Sequence, residues 1–249
     1  MGVPRTLARQ DMNRKTCGKF PKFCYRAFDC EDLARKFVNE GTFRMRCLHF
    51  FKEGDNARRD PTEGRGHIKQ PGMVTTLWVS PNPSDKTIFT REPGPVERHS
   101  EPGSNAKFCL CTCLPEVNLG HMRKTFGKHG EPAVIVRIDD PVQLAEDIHD
   151  YYVNKGVRML IEGCRVVYNK GQKVDRVLTN NEMVDLAYKQ KPENFSPDCE
   201  FRFVAIKFGE SCPEECKFVG GQESKCKFEE CQTVALGRPL KYLVVMELE

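Results

Sequence analysis

Glu200 and Arg202 stand two residues apart in the run Glu200-Phe201-Arg202-Phe203. In a strand, that spacing puts carboxylate and guanidinium on one face and both phenyl rings on the other. A carboxylate fixed this way can stabilise the positive charge that develops as a glycosidic bond breaks. A guanidinium can grip phosphate through two parallel hydrogen bonds. The plainer alternative is a solvated ladder pair on an antiparallel strand. Arg44 and Arg46 share one face of the expected strand Thr42–Phe51. They either grip phosphate or form an exposed side opposite Phe43, Met45 and Cys47. Arg58, Asp60 and Glu63 lie in the charged stretch Lys52–Gly66, where the two acids either position a substrate or shape a turn. Thr112 offers a hydroxyl, or serves β-propensity alone.

The cysteines offer a second chemistry. Cys212, Cys216, Cys226 and Cys231 follow a C-x3-C-x9-C-x4-C pattern. Four thiolates can hold a tetrahedral zinc, although the commoner knuckle spacing is C-x2-C; the alternative is free thiols on a hairpin. Cys109, Cys111 and Cys113 share one strand face and read as small buried hydrophobes. His49, His67, His99, His121, His129 and His149 are scattered, with no i, i+4 pair of the helical metal-site kind. The chain contains no P-loop and no GxGxxG, which argues against a Rossmann or kinase-type nucleotide site.

These residues need elements to position them. Phe23–Asp29 reads as a strand, followed by a helix capped by Asp29, with Leu33, Ala34, Phe37 and Val38 on one face and Gly41 ending it. Further strands are expected at Met73–Val79, Phe108–Leu114, Ala133–Ile138, Gly163–Tyr168, Glu200–Phe208 and Lys241–Leu248. Asp140 and Pro141 open a helix with Leu144, Ala145, Ile148 and Tyr152 on one side. Thr179 and Glu182 have capping-box spacing. The stretch Pro81–Asn105, rich in Pro, Gly, Ser and charge, reads as a long surface loop. Residues 1–22 read as a basic arm. Residues 23–249 read as one α+β domain with a Cys-rich hairpin insertion at 209–233.

Bulk properties set the bounds. The chain has 249 residues, 39% hydrophobic and 30% charged, which suits a globular domain with a substantial core. No apolar run approaches the roughly 20 residues that span a bilayer. The N-terminus lacks the apolar stretch of a secretory signal, so a cytoplasmic protein with no membrane partner is expected. Thirteen cysteines in that setting imply reduced thiols. The net charge of +4 permits nucleic-acid binding without demanding it.

The order of elements resembles ADP-ribosyltransferase-like domains. Phe23-Cys24-Tyr25-Arg26, a helix, Gly41 and a second strand resemble the opening of such domains. Phe50–Gly64 is similar to a recurring pattern in small bacterial and phage proteins associated with that superfamily. Phe108–Cys113 sits where the family places a strand with Ser or Thr, and Glu200–Phe203 is similar to its late strand bearing the catalytic glutamate. The resemblance implies a split mixed or antiparallel sheet with flanking helices, and transfer of ADP-ribose from NAD to a macromolecular acceptor. It implies Glu200 as the catalytic carboxylate, Arg26 holding the cofactor, and Tyr25 or Tyr168 stacking on nicotinamide. Thr112 would support the pocket, while Arg44, Arg46, Arg202 and the Arg58–Glu63 loop would close over cofactor or acceptor. Asp198 stands where arginine-modifying transferases carry a longer acid, which favours RNA or DNA over protein as acceptor. Similar small proteins act as toxins or phage-defence effectors, so an antitoxin or chaperone partner is a further expectation. Two other classes stay open: a metal-dependent nuclease using Asp60, Glu63, Asp198 and Glu200, and a zinc-stapled module that binds nucleic acid or a partner without turnover.

Overall fold

The computed structural model describes residues 16–46, 66–78, 88–100, 106–157, 159–179, 182, 186, 188–207 and 232–247. In chain order the first strands are β1 (Thr16–Gly18), β2 (Cys24–Phe28), β3 (Thr42–Met45), β4 (Gly66–Trp78) and β5 (Ile88–Ser100). They are followed by β6 (Ala106–Cys113), β7 (Val134–Ile138), β8 (Met159–Arg165), β9 (Glu200–Lys207), β10 (Gln232–Ala235) and β11 (Leu243–Met246). The helices are α1 (Glu31–Glu40), α2 (Leu119–Phe126) and α3 (Pro141–Asn154), with a 3-10 turn at Glu193–Asp198.

Among the described residues, seven strands form one sheet in the order β1-β8-β9-β6-β2-β7-β11. Within it β1 and β8 run parallel, and every other neighbouring pair is antiparallel. The fold is α+β, with a mixed, mostly antiparallel sheet and few helices. Strand β6 is where the sheet divides. On one side it pairs along its length with β9. On the other it meets β2 at Tyr25↔Cys113, then Arg46 just beyond β3 through an isolated bridge to Cys109. Strand β3 in turn pairs with β10 as a separate two-stranded ribbon.

Local signals explain the helices. Asp140 accepts a 2.9 Å hydrogen bond from the Gln143 N–H, and Pro141 opens α3 without wasting a donor. Leu144, Ala145, Ile148 and Tyr152 are all buried, as their period of 3.6 predicts. Helix α1 starts differently from expectation. Its N-cap is Cys30 rather than Asp29 and makes no side-chain cap bond. Glu31 and Asp32 in the first turn face the positive end of the helix dipole instead. Ala34 and Phe37 are buried and Val38 packs beside them, whereas Leu33 is 45% exposed because it falls off that stripe. Gly41 ends the helix with φ +62°, and a Cβ there would come within 2.8 Å of Leu236. The Thr179–Glu182 capping box is present with both reciprocal backbone bonds, at 2.8 and 3.3 Å.

The core lies on the sheet face that carries Phe201, Phe203, Ala205, Leu110, Val136 and Ile138, covered by α1 and α3. Burial of this set supplies the main favourable term, roughly 1.5–3 kcal/mol per large side chain. Residues 16–22 belong to it rather than to a free arm. Thr16–Gly18 joins the sheet edge, and the Phe20 ring sits 5.9 and 5.8 Å from Phe201 and Phe203. Gly163 makes room for it, since a Cβ there would lie 2.6 Å from that ring. The expected arm overlooked an aromatic residue that the core takes up.

One boundary and one element also differ. Strand β8 runs over Met159–Arg165, not Gly163–Tyr168, because Met159 and Ile161 fill the core. The expected loop Pro81–Asn105 contains β5, paired with β4 along thirteen residues. The prolines permit this ribbon through their register. Pro71 lies opposite Pro95 and Pro93 opposite Met73, so all three occupy one alternate set of positions. In a two-stranded ribbon that set can point its missing N–H groups outward, where no ladder bond is lost. Residues 47–65 and 208–231, which hold the end of the expected Thr42–Phe51 strand, the Arg58–Glu63 loop and most of the Cys-rich insertion, lie outside the described residues. Among the described residues, no helix is long and apolar enough to cross a membrane.

Candidate functional site

Glu200 opens β9 because the chain turns sharply just before it. Pro192 starts the 3-10 turn and Cys199 ends it in the left-handed region, φ +45°. From there strand alternation sends Phe201 and Phe203 into the core and Glu200 and Arg202 to the opposite face. That face is covered rather than open. Glu200 is 6% exposed and Arg202 is fully buried, so the pair is neither a solvated ladder nor the floor of an open cleft.

Both carboxylate oxygens of Glu200 are occupied. Arg202 Nε donates to Oε1 at 2.6 Å, and Lys191 Nζ lies 2.6 Å from Oε2. Arg202 also donates to the Tyr188 carbonyl at 2.9 Å, and the Glu200 N–H donates to the Tyr168 hydroxyl at 2.7 Å. Burial would raise the pKa of Glu200, but the charges of Arg202 and Lys191 outweigh it and hold the carboxyl below the usual range. The group is therefore anionic at every physiological pH. Burial raises the pKa of Tyr168, which stays a neutral phenol. A second, partly buried acid is paired in a similar way: Glu162 on β8 lies 2.6 Å from Lys189 Nζ and accepts from Tyr188 Oη at 3.1 Å.

Beside Glu200 the site reaches solvent. Asp198 ends the 3-10 turn, and its Oδ1 lies 3.2 Å from His121 Nε2 on α2. Their side chains are 16% and 35% exposed, which makes this the accessible edge of an otherwise closed cluster. Asn118 holds the start of α2 by accepting from the His121 N–H at 2.9 Å. Burial raises the Asp198 pKa and His121 offsets part of that rise. A carboxyl hydrogen-bonded to an imidazole at a solvent-reaching edge is a pair through which a proton can pass.

Register shows which expected residues meet. Cys113 lies opposite Glu200 and Cys111 opposite Arg202, while Tyr25 lies opposite Cys113. Residues directly opposite share a face, so Tyr25, Cys111, Cys113, Glu200 and Arg202 come together. Thr112 is opposite Phe201, on the other face, and its hydroxyl donates to the Phe201 carbonyl at 2.9 Å. A pocket role beside Glu200 is thus closed to it. Arg26 starts on that same other face, and its Nη1 donates to the Cys111 carbonyl where β2 and β6 separate. Its guanidinium stands 5.5 Å from the Phe28 ring centroid, and its Nε is buried without a hydrogen-bond partner. Burial, reinforced by the nearby Arg46 charge, lowers its pKa. Arg44 is exposed opposite Thr233, and Arg46 is half-buried. Arg58, Asp60, Glu63, Cys212, Cys216, Cys226 and Cys231 lie outside the described residues.

The three strand cysteines behave as small buried groups. Cys109 and Cys113 are buried, Cys111 partly so, and the Sγ atoms of Cys109 and Cys111 are 3.8 Å apart. Burial raises the pKa of Cys113, as it does for Cys24, which is pushed up to about 12. Such thiols are inert. Sequence reasoning missed Lys191 and His121. Lys191 reaches Glu200 from outside the strand, and no spacing marks that approach. His121 had one local signal, the Asn118 cap three residues before it. A separate groove of about 300 Å³ is lined by Asp147, Asp150, Tyr151, Asn154, Lys155 and Arg238 among others, and includes none of the residues above. Compared with protein-family models, with curated proteins and with solved structures, the chain matches none.

Proposed function

We propose that the chain cleaves the nicotinamide–ribose bond of NAD and passes the ADP-ribose to a macromolecular acceptor, RNA or DNA ahead of protein. The observation that carries this reading is the Glu200 carboxylate, ionised and buried beside the solvent-reaching Asp198–His121 pair. Nicotinamide leaves with the bonding electron pair, and the ribose left behind carries positive charge that a fixed anion stabilises.

The resting arrangement imposes one condition on that role. Lys191 and Arg202 together overcompensate the charge of Glu200, so one cation must let go before the carboxylate can face a cationic ribose. Lys191 is the group to move. Its ammonium is a point charge on a flexible stem, whereas the planar Arg202 guanidinium is tied to both Glu200 and the Tyr188 carbonyl. The NAD pyrophosphate draws Lys191 away and frees Oε2. The acceptor hydroxyl or ring nitrogen then attacks the ribose carbon and gives its proton to the Asp198–His121 pair. The same compensation argues against the metal-dependent nuclease reading at Glu200, because a carboxylate already neutralised by two cations offers Mg²⁺ little.

The competing reading is structural: the triad simply ties β9 to the segment before it, and the low exposure of Glu200 favours that view. Nicotinamide release from NAD separates the two, measured with purified full-length protein while RNA, DNA and protein extract are offered as acceptors. The enzyme reading expects release by the wild type and a fall of at least about 100-fold in Glu200→Gln with its fold intact by circular dichroism. Asp198→Asn is the second variant, expected to slow release by removing the carboxylate of the proton-accepting pair while leaving the partners of Glu200 in place. A wild type that releases no nicotinamide with any acceptor overturns the enzyme reading. Setting such an activity among toxins or phage-defence effectors with an antitoxin or chaperone partner rests on the family resemblance alone.

A further inference from the structure

The β4–β5 ribbon carries three metal-binding side chains on one face, far apart in sequence and adjacent in space. His67 lies directly opposite His99, and Lys69 opposite Glu97. Residues 67 and 69, like 97 and 99, share a face by the period of two. Ligand atoms of His67, Glu97 and His99 all lie within 4.8 Å of one another. The Glu97 Oε2 atom stands 3.7 Å from His67 Nε2 and 4.0 Å from His99 Nε2. A tetrahedral zinc with bonds of about 2.0–2.1 Å sets its ligands about 3.3 Å apart and lies in the plane of each imidazole, so closure draws the ligand atoms together by up to about 1.5 Å and turns the two rings out of their stack. The six histidines look scattered in the sequence because a cross-strand pair has no local spacing.

Independent details point to a ligand between these groups. His67 Nε2 is buried and has no hydrogen-bond partner, an orphan of the kind that a bound group satisfies. The ring itself is held in place. The His67 N–H donates to Gln190 Oε1 at 2.8 Å and its carbonyl accepts from the Gly171 N–H at 2.8 Å. A Cβ at Gly171, where φ is +78°, would lie 3.4 Å from His67 Nδ1, so the backbone there backs that edge of the ring. The His67 and His99 rings lie side by side, 4.4 Å between centroids, on the same face of the ribbon. Lys69 Nζ lies 3.5 Å from Glu97 Oε1, the oxygen that does not face the histidines. It orients the carboxylate as outer partners of metal ligands do.

The geometry points to a zinc site formed by His67 Nε2, Glu97 Oε2 and His99 Nε2, separate from the Glu200 cluster and independent of its function. Two imidazoles and one carboxylate select a borderline transition ion over Mg²⁺ or Ca²⁺. Three protein ligands leave the fourth position for water or a ligand oxygen. The metal also clamps the two strands beside the segment 169–174, which bonds to β4 through Gly171, Gln172 and Val174.

The test must distinguish this site from thiolates at Cys212, Cys216, Cys226 and Cys231. Metal-stripped full-length protein is titrated with Zn²⁺ and read by native mass spectrometry, then with Co²⁺ and read by absorption. The wild type is expected to take up one more zinc than the His67→Ala/His99→Ala double variant. Its extra cobalt should give visible ligand-field bands without the strong near-ultraviolet charge transfer of cobalt–thiolate bonds. Glu97→Gln, an exposed change that keeps side-chain shape, is expected to weaken that equivalent by more than about tenfold. It also serves as the second test should the double variant fail to fold. Equal zinc uptake by wild type and a folded double variant, or unchanged affinity in Glu97→Gln, overturns the proposal.

Discussion

Glu200 and Glu97 are carboxylates of the same type on strands of the same protein, and their surroundings differ in every other respect. Glu200 is buried, each oxygen is taken by a cation, and its charge is fixed. Glu97 is about half exposed, and one of its oxygens faces two imidazoles without a close bond. Burial makes the first indispensable to its neighbours, while exposure leaves the second free to recruit a ligand. The contrast shows why polar residue types alone do not define a site. What a carboxylate can do depends on how much of its hydration the fold has already replaced.

The largest effect that would break this contrast comes from deleting Glu200. Glu200→Ala removes the carboxylate that Arg202 and Lys191 both meet, and is expected to cost about 3–5 kcal/mol in urea or thermal unfolding. Replacing all three charged side chains by apolar ones of similar size (E200L, R202M and K191M together) is expected to restore most of that stability while removing activity. A mild effect of Glu200→Ala alone would mean that the cluster is open to water. On the apolar side of the same strand, Phe203→Ala is expected to cost about 3–5 kcal/mol through cavity formation, with no dependence on salt.

Acid unfolding sharpens the comparison next. The folded pKa of Glu200 is depressed, so its contribution to stability is fully present above the unfolded value of about 4.3 and is lost as pH falls below it. Asp198 has the opposite sign. Its raised pKa makes its contribution greatest when protonated, and that contribution declines as pH rises through the folded value. Wild type should therefore lose stability below about pH 4 in a step that Glu200→Gln lacks. Asp198→Asn should leave that step in place. The smallest effect is at the edge of the site: Asn118→Ala removes the α2 cap and should cost about 1 kcal/mol, measured by chemical denaturation.

Much of the architecture was legible where signals are local. Asp140–Pro141 marked α3, Gly41 marked the end of α1, and Thr179–Glu182 marked a capping box, because each involves neighbours along the chain. The period of two in Glu200–Phe203 correctly placed the phenyl rings in the core and the charges opposite. It could not say that the charged face would be covered, since Lys191 and Tyr168 reach it from outside the strand. The His121–Asp198 pair spans 77 residues and left no trace in spacing. Pro93 and Pro95 read as loop residues because the register that makes them tolerable exists only once β4 is opposite them. Thr112 fitted the family resemblance by type, but the strand register turns it away from Glu200.

Nicotinamide release from NAD by the purified full-length chain tests the central claim most directly. Release by the wild type is expected, lost by at least about 100-fold in a folded Glu200→Gln. Absence of release with RNA, DNA and protein acceptors all present would contradict it, and would leave the Glu200 cluster as a purely structural tie.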